Sequence, residues 1–229
     1  MMQTMETSLL RLARLDEADA IDALMKASTT GLFPHFYDAR QTAAAVRHIA
    51  SVDRTLIQDG TYFVIGADGE LVACGGWSRR DKLYTGSGEG AGDARLLDPA
   101  TEPARVRAMF VHPDWTRRGL GTRILEACQA AAKAEGFGVL ALVATLPGLP
   151  LYKRFGFVVT EWVEVRMPDG TAIACAAMAV PSRLAVSRRW PAPGTPSLRS
   201  RARDGSSARG RWRRASAPRL AARRPGHPP

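Results

Sequence analysis

The sequence predicts an α/β chain with elements in the order β-α-α-β-β-β-α-β-α-β-β. Three observations predict it. Helical apolar stripes alternate along the chain with short β-rich runs. VLALVAT (Val139–Thr145) is nearly continuous apolar, as expected for a buried, parallel strand. Two pairs of β-rich runs surround Ala67-Asp68-Gly69 and Pro168-Asp169-Gly170, which read as hairpin turns. At 229 residues, the chain is long enough for one substantial core with an appendage.

The elements follow in order. SLLRLARL (Ser8–Leu15) alternates loosely and suits a first strand. Asp16 is a good N-cap for a first helix, with Glu17 and Asp19 in the first turn, where the dipole favours acids. Ile21, Leu24 and Met25 mark its inward face. Asp38 caps a second helix that runs through Val46 and Ile49. TYFVIGADGELVACGGW is the clearest hairpin. A polar, Gly-rich connection from Ser78 to about Pro103 follows, and its length predicts partial mobility. VRAMFV (Val106–Val111) is the fourth strand, closed by His112-Pro113. Leu120, Ile124, Ala127, Cys128 and Ala131 form one helical stripe, which Gly136 is placed to end. After the fifth strand, LPLYKRFGF gives a short helix ending at Gly156. FVVTEWVEVRM and TAIACAAMAV are the last two strands.

Composition breaks near Pro181. Residues 182–229 hold 13 arginines, no lysine and one acid, Asp204, so this tail carries +12 of a net +10 and leaves residues 1–181 at −2. The tail is rich in Pro, Gly and Ser and poor in large aliphatics. It cannot bury enough apolar surface to offset chain entropy, which predicts disorder. Two readings of it stand: a basic arm for nucleic acid or acidic lipid, or an out-of-frame read of a GC-rich gene, since its residues use GC-rich codons. No apolar run is long enough to span a membrane, and the start, with Arg11 and Arg14 interrupting a short apolar stretch, does not read as a secretory signal. Cys74, Cys128 and Cys175 are far apart and odd in number, which predicts reduced core thiols in a cytoplasmic protein rather than disulfides or a metal knuckle. No His/Cys/Asp cluster has metal-ligand spacing, so no metal is expected.

WTRRGLGTRIL (Trp115–Leu125) carries the clearest chemistry. A strand runs into a loop with Gly119 and Gly121, and a helix begins at once. Glycines let the N–H groups point into one concavity, and the helix N-terminus adds its positive dipole end. Together these make an anion site, most simply for phosphate or pyrophosphate. Arg117, Arg118 and Arg123 add positive potential. A lone Gly-x-Gly is weak, however, and reads equally as a helix entry with solvated arginines.

The surroundings decide between these. VRAMFVHPDWTRRGLGTRIL resembles motif A of the GNAT acetyltransferase superfamily: a strand, then Arg/Gln-x-x-Gly-x-Gly/Ala, then a helix. LPLYKRFGFVV resembles that superfamily's motif B, with a Tyr four residues before the Gly-Phe pair. The resemblance spans roughly Glu6 to Pro181. It implies a seven-stranded, mixed, mostly antiparallel sheet flanked by helices, with the fourth and fifth strands parallel and splayed around acetyl-CoA. Backbone groups of Met109, Phe110 and Val111 would bond the pantetheine arm. The amides of Arg117, Arg118, Gly119, Leu120, Gly121 and Thr122 would hold the pyrophosphate. The sequence departs from the pattern at Thr116, where the family usually has Arg or Gln, and at Thr145, where Asn is common.

The resemblance implies an N-acetyltransferase that moves the acetyl group of acetyl-CoA to an amine of a small molecule or peptide by direct attack. Tyr152 matches the usual donor of a proton to the leaving thiolate, an only mildly uphill transfer. Its structural reading is a packing residue at a helix end. Candidates for the general base are Glu102, otherwise a solvated loop acid, and His35, otherwise a packing residue beside aromatics; His112 reads as a strand terminator. Phe33, Phe36, Tyr37 and Tyr84 read as an apolar acceptor wall. Pairing of two domains through the last strands is implied by the resemblance. The alternatives are a CoA-binding regulatory domain without turnover, and nucleic-acid binding through the tail.

Overall fold

The computed structural model describes residues 8–81 and 95–180. The tail, Tyr84 and the middle of the Gly-rich connection, residues 82–94, lie outside the described residues. Seven strands form one sheet in the order β1-β2-β3-β4-β5-β7-β6. They are β1 (Leu9–Leu12), β2 (Tyr62–Ala67), β3 (Glu70–Ser78), β4 (Ala104–Val111), β5 (Leu140–Thr145), β6 (Val158–Arg166) and β7 (Ala172–Ala179). Every pairing is antiparallel except β4 with β5. The helices are α1 (Ala18–Leu32), α2 (Ala39–His48), α3 (Arg54–Gln58), α4 (Leu120–Ala134) and α5 (Leu149–Phe155).

This is the expected order, with differences at the first helix and one addition. Asp16 does not cap α1. A short 3-10 turn, Leu15–Glu17, precedes the helix, and Asp16 pairs with Arg14 instead. Glu17 stands at the cap position but spends its carboxylate on Arg11 and on the Arg14 N–H. Asp38 caps α2 as expected, in a capping box with Gln41. α3 carries too few residues to show a period, and its signal is Asp53, whose side chain accepts from the Thr55 N–H at 3.1 Å. On α4 the buried stripe is Leu120, Ile124, Leu125, Cys128 and Ala132, so it is turned slightly from the expected one; Ala127 and Ala131 are half-buried.

The sheet has a core on each face. Against α4 and α5 lie Ile65, Trp77, Val106, Leu142 and Met178. On the opposite face Ile21, Met25 and Leu56 pack on Tyr62 and Val64, while Phe33, Tyr37 and Ala45 pack on Val165, Ile173 and Cys175. The three thiols are free and buried, one in each cluster.

What opens the sheet is the behaviour of β4. It pairs with β5 only at Ala104↔Leu140 and Arg105↔Ala141. Two residues on, its register with β3 breaks between Cys74 and Gly76, where Gly75 faces both Ala108 and Met109. This is a β-bulge, which bends and twists the strand that carries the extra residue. Ala108 sits at φ 52°, a left-handed conformation that costs an alanine about 1–2 kcal/mol. Two features hold it there. The Tyr62 hydroxyl donates to the Ala108 carbonyl at 2.8 Å, and Gly75 leaves the space that Met109 fills, since a Cβ there would overlap the Met109 sulfur. Beyond the bulge β4 follows β3, its inner edge parts from β5, and a cleft opens between them.

Tyr62 is fully buried, and removing its hydroxyl takes the donor from the half-buried Ala108 carbonyl. Tyr62→Phe is expected to lower unfolding free energy by about 1 kcal/mol, read from urea denaturation, with the secondary structure intact by circular dichroism.

Candidate active site

A cavity of about 550 Å³ fills the mouth of this cleft. Its floor is β4 from Val106 to Val111; one wall is the loop and first turn of α4, the other the start of α5. It gathers Met109, Phe110, Val111, Arg117, Gly119, Leu120, Gly121, Thr122 and Tyr152. Of the residues expected to hold the cofactor, Arg118 does not line it. Its guanidinium lies over the Trp115 ring, 4.5 Å from the centroid, and donates to the Asp114 carbonyl.

The loop explains itself from its backbone. Thr116 is extended; Arg117 and Gly119 are left-handed, at φ 64° and 80°. Left-handed residues in a turn aim successive N–H groups into one concavity. Among the described residues, the amides of 117 to 122 have no hydrogen-bond acceptor, and Arg123 makes the first bond of the helix, to the Gly119 carbonyl at 3.1 Å. These unpaired donors stand at the N-terminus of a 15-residue helix, where its dipole adds positive potential. Thr116, in place of the longer Arg or Gln, turns its hydroxyl back to the Pro113 carbonyl at 3.0 Å and closes the turn. Arg123 does not face the anion site as expected; it reaches back to the Ser8 carbonyl at 2.9 Å.

β4 supplies polar groups of its own. The His112 N–H bonds the Val72 carbonyl on β3 at 2.9 Å. Strand alternation then turns the preceding N–H, that of Val111, to the opposite side. That side faces β5, which has already diverged.

Tyr152 is fixed by the end of its own helix. Gly156 is left-handed at φ 108°, which lets the Phe157 N–H bond back to the Tyr152 carbonyl at 2.9 Å. The Phe157 ring then packs edge-on against Tyr152, centroids 5.8 Å apart. Gly148 leaves room for the ring on the other side. Tyr152 is buried yet lines the cavity, and its hydroxyl has no hydrogen bond among the described residues. Burial pushes its pKa above that of an ordinary phenol, so it stays protonated at neutral pH.

The far half of the cavity lies under α1 and the turn after it. Ser28, Leu32, Phe33, Ile49, Val143, Val165 and Cys175 line it, with Thr145 at the end of β5 and Arg107 below. Only part of the expected aromatic wall is there. Phe33 lines it, Phe36 is exposed elsewhere, and Tyr37 is a structural tie: its hydroxyl donates to Ala174 O and accepts from Leu146 N–H, both at 2.8 Å. His35 is exposed and does not reach the cavity. Glu102 is also outside it, clamped by Arg95 and accepting the Asp98 N–H, and its pKa is held down at about 2, chiefly by Arg95. His112 ends β4 and accepts the Asp114 N–H. Sequence reasoning passed over Arg107. The signal was there: an arginine one place after Val106, which faces the α4 core, falls on the opposite inward face of a central strand.

Among the described residues no cluster of His, Cys, Asp or Glu could hold a metal ion, and no helix is long and apolar enough to cross a membrane.

Comparison with known proteins agrees with this geometry. Residues 58–159, from the end of α3 through the motif that fixes Tyr152, match the acetyltransferase (GNAT) domain family. No curated protein sequence matches the chain. Solved structures share the fold. One is described as the GCN5-related N-acetyltransferase: aminotransferase, class-II, from Rhodopseudomonas palustris; it is 21% identical, with a TM-score of 0.58 over 77% of this chain and 97% of that one. The PaiA N-acetyltransferase from Thermoplasma acidophilum, in complex with coenzyme A, is 12% identical, with a TM-score of 0.53 over 76% and 98%. An N-acetyltransferase from Staphylococcus aureus Mu50 is 14% identical, with a TM-score of 0.50 over 76% and 97%.

The Glu102 clamp makes a pH prediction. Its folded pKa lies below its ordinary 4.5, so the stability it adds is full above that value and is lost as pH falls toward about 2. Glu102→Gln is expected to flatten the acid side of the stability curve across that window while leaving turnover near neutrality unchanged, read by urea denaturation at several pH values and by a thiol-release assay.

Proposed function

We propose that this chain, which carries a GNAT acetyltransferase domain, transfers the acetyl group of acetyl-CoA to an amine of a small molecule or peptide by direct attack. One observation carries the reading: an anion cradle, an outward-facing strand amide and a buried tyrosine line a single cavity where two parallel strands part. That the Thermoplasma acidophilum protein of the same fold is described with coenzyme A adds support.

The chemistry follows from the groups present. The amides of Arg117, Arg118, Gly119, Leu120, Gly121 and Thr122 hold the pyrophosphate, which offers the acceptors they lack. The pantetheine arm lies along Met109, Phe110 and Val111. A neutral amine attacks the thioester carbonyl, and its electron pair forms the new C–N bond as the carbonyl oxygen becomes an oxyanion. The Val111 N–H, which no neighbouring strand uses, donates to that oxygen. Collapse breaks the C–S bond. The ammonium of the tetrahedral intermediate loses its proton to solvent, Tyr152 gives its own proton to the departing sulfur, and solvent returns a proton to Tyr152. Burial raises the Tyr152 pKa, but it desolvates the thiolate in the same cavity as well, so the transfer remains near balance.

Residues 1–181 form the catalytic domain in this reading, and residues 182–229 form a separate basic tail. Free buried thiols suit a reducing compartment such as the cytoplasm. Pairing of two chains through the last strands fits an edge strand β6 that exposes Val158 and Trp162.

Tyr152→Phe keeps the ring against Phe157 and removes only the proton. It is expected to lower kcat by about a hundredfold with little change in KM for acetyl-CoA. An unchanged kcat would assign the proton to water. Gly119→Val, strained at φ 80°, is expected to raise KM for acetyl-CoA, or the calorimetric Kd for CoA, by about tenfold.

A further inference from the structure

We infer that the acceptor is an apolar amino acid, its side chain seated among Leu32, Phe33, Ile49, Val143 and Val165 and its carboxylate turned to Arg107. This rests on the acetyltransferase reading and names the substrate class for the same cavity.

The apolar half of the argument is the lining. Side chains from α1, the turn after it, the end of α2 and strands β5 and β6 converge on the far half of the cavity. Several of them are themselves held in a packed cluster, so this wall is preformed. Phe33 and Val165 are only 5% and 8% exposed, which suits a side chain that inserts rather than one that lies across a surface.

The polar half is Arg107. It lies on β4 immediately before the bulge, lines the same cavity, and its side chain is 2% exposed. Its one ion partner among the described residues is Asp53, 2.9 Å from Nη2, and that carboxylate also caps α3 through the Thr55 N–H. The Arg107 Nε makes no hydrogen bond among the described residues. A guanidinium carries five donors in a planar fork. Buried with one shared carboxylate, it is under-compensated: burial outweighs Asp53 and pulls its pKa below the ordinary arginine value. A second anion would complete the compensation, and a carboxylate matches the fork. A polyamine or a lysine side chain would instead bring a further cation beside Arg107, Arg117 and Arg154, all on the cavity wall.

With an α-amino acid the carboxylate anchors one end, the side chain fills the apolar wall, and the amine is left free toward the splayed strands.

The test is a thiol-release assay of the full chain with acetyl-CoA and matched acceptors: leucine and phenylalanine, their amides, the bare amines isoamylamine and phenethylamine, and spermidine. The amino acids are expected to exceed their amides and bare amines by about tenfold or more in kcat/KM. In Arg107→Gln that acid-to-amide ratio falls toward one while KM for acetyl-CoA stays put, and Arg107→Lys recovers part of it. Amides, bare amines or spermidine that match the acids overturn the inference, as does a ratio that survives Arg107→Gln. Should Arg107→Gln not fold, the wild-type protein decides: N-acetyl-leucine must inhibit more strongly than N-acetyl-leucinamide, and equal inhibition overturns the inference. Calorimetry with CoA separates the two failures. CoA binding with another acceptor class sinks only this inference; no CoA binding and no turnover sinks the acetyltransferase reading itself.

Discussion

The site hangs on one irregular residue. Ala108 adopts a conformation that strands avoid, and the extra residue it accommodates turns β4 out of parallel with β5. Without that bulge the two parallel strands would continue their ladder, and the amide of Val111 would be spent on the sheet. The conformation does not stabilise itself. It is imposed from both sides, by a hydroxyl reaching across from β2 and by a glycine on β3 that yields its volume to Met109. Local strain at a functional position, compensated by its neighbours, is a recurring arrangement in active sites. Here the compensation is visible atom by atom.

The cavity is also an electrostatic compromise. Its near half offers unpaired amides and Arg117, suited to anions. Its far half is apolar with a guanidinium set beneath it. Burial pushes the Tyr152 pKa up and the Arg107 pKa down. Burial makes Arg107 costly, and an ion pair with Asp53 is weak evidence that the arginine is there for stability. A buried charge on a cavity wall is more economically read as a contact for something that enters.

Much of this was legible in the sequence because the signals were local. Element order, both hairpins and the ends of α4 and α5 follow from spacing and from glycine, and so does the loop of Gly119 and Gly121 at a helix start. Tyr152 of the second motif lines the same cavity as that loop. What was hidden depends on which partner each side chain takes, near or far. Asp16 looked like a cap because the 3-10 turn that displaces it is set by Arg11 and Arg14 binding acids nearby. Tyr37 and Glu102 had the right chemistry but were already bonded to partners far away or across a loop. Arg123 sits in the motif but answers to Ser8, a residue 115 positions earlier. Spacing alone does not say which of several possible partners a side chain takes.

That last contact has a practical edge. The Arg123 side chain fastens the first turn of α4 to the very start of β1. The strand at one edge of the sheet and the loop that opens α4 therefore share a clasp, so a change at Ser8 is felt at the first turn of that helix as well as at the sheet edge.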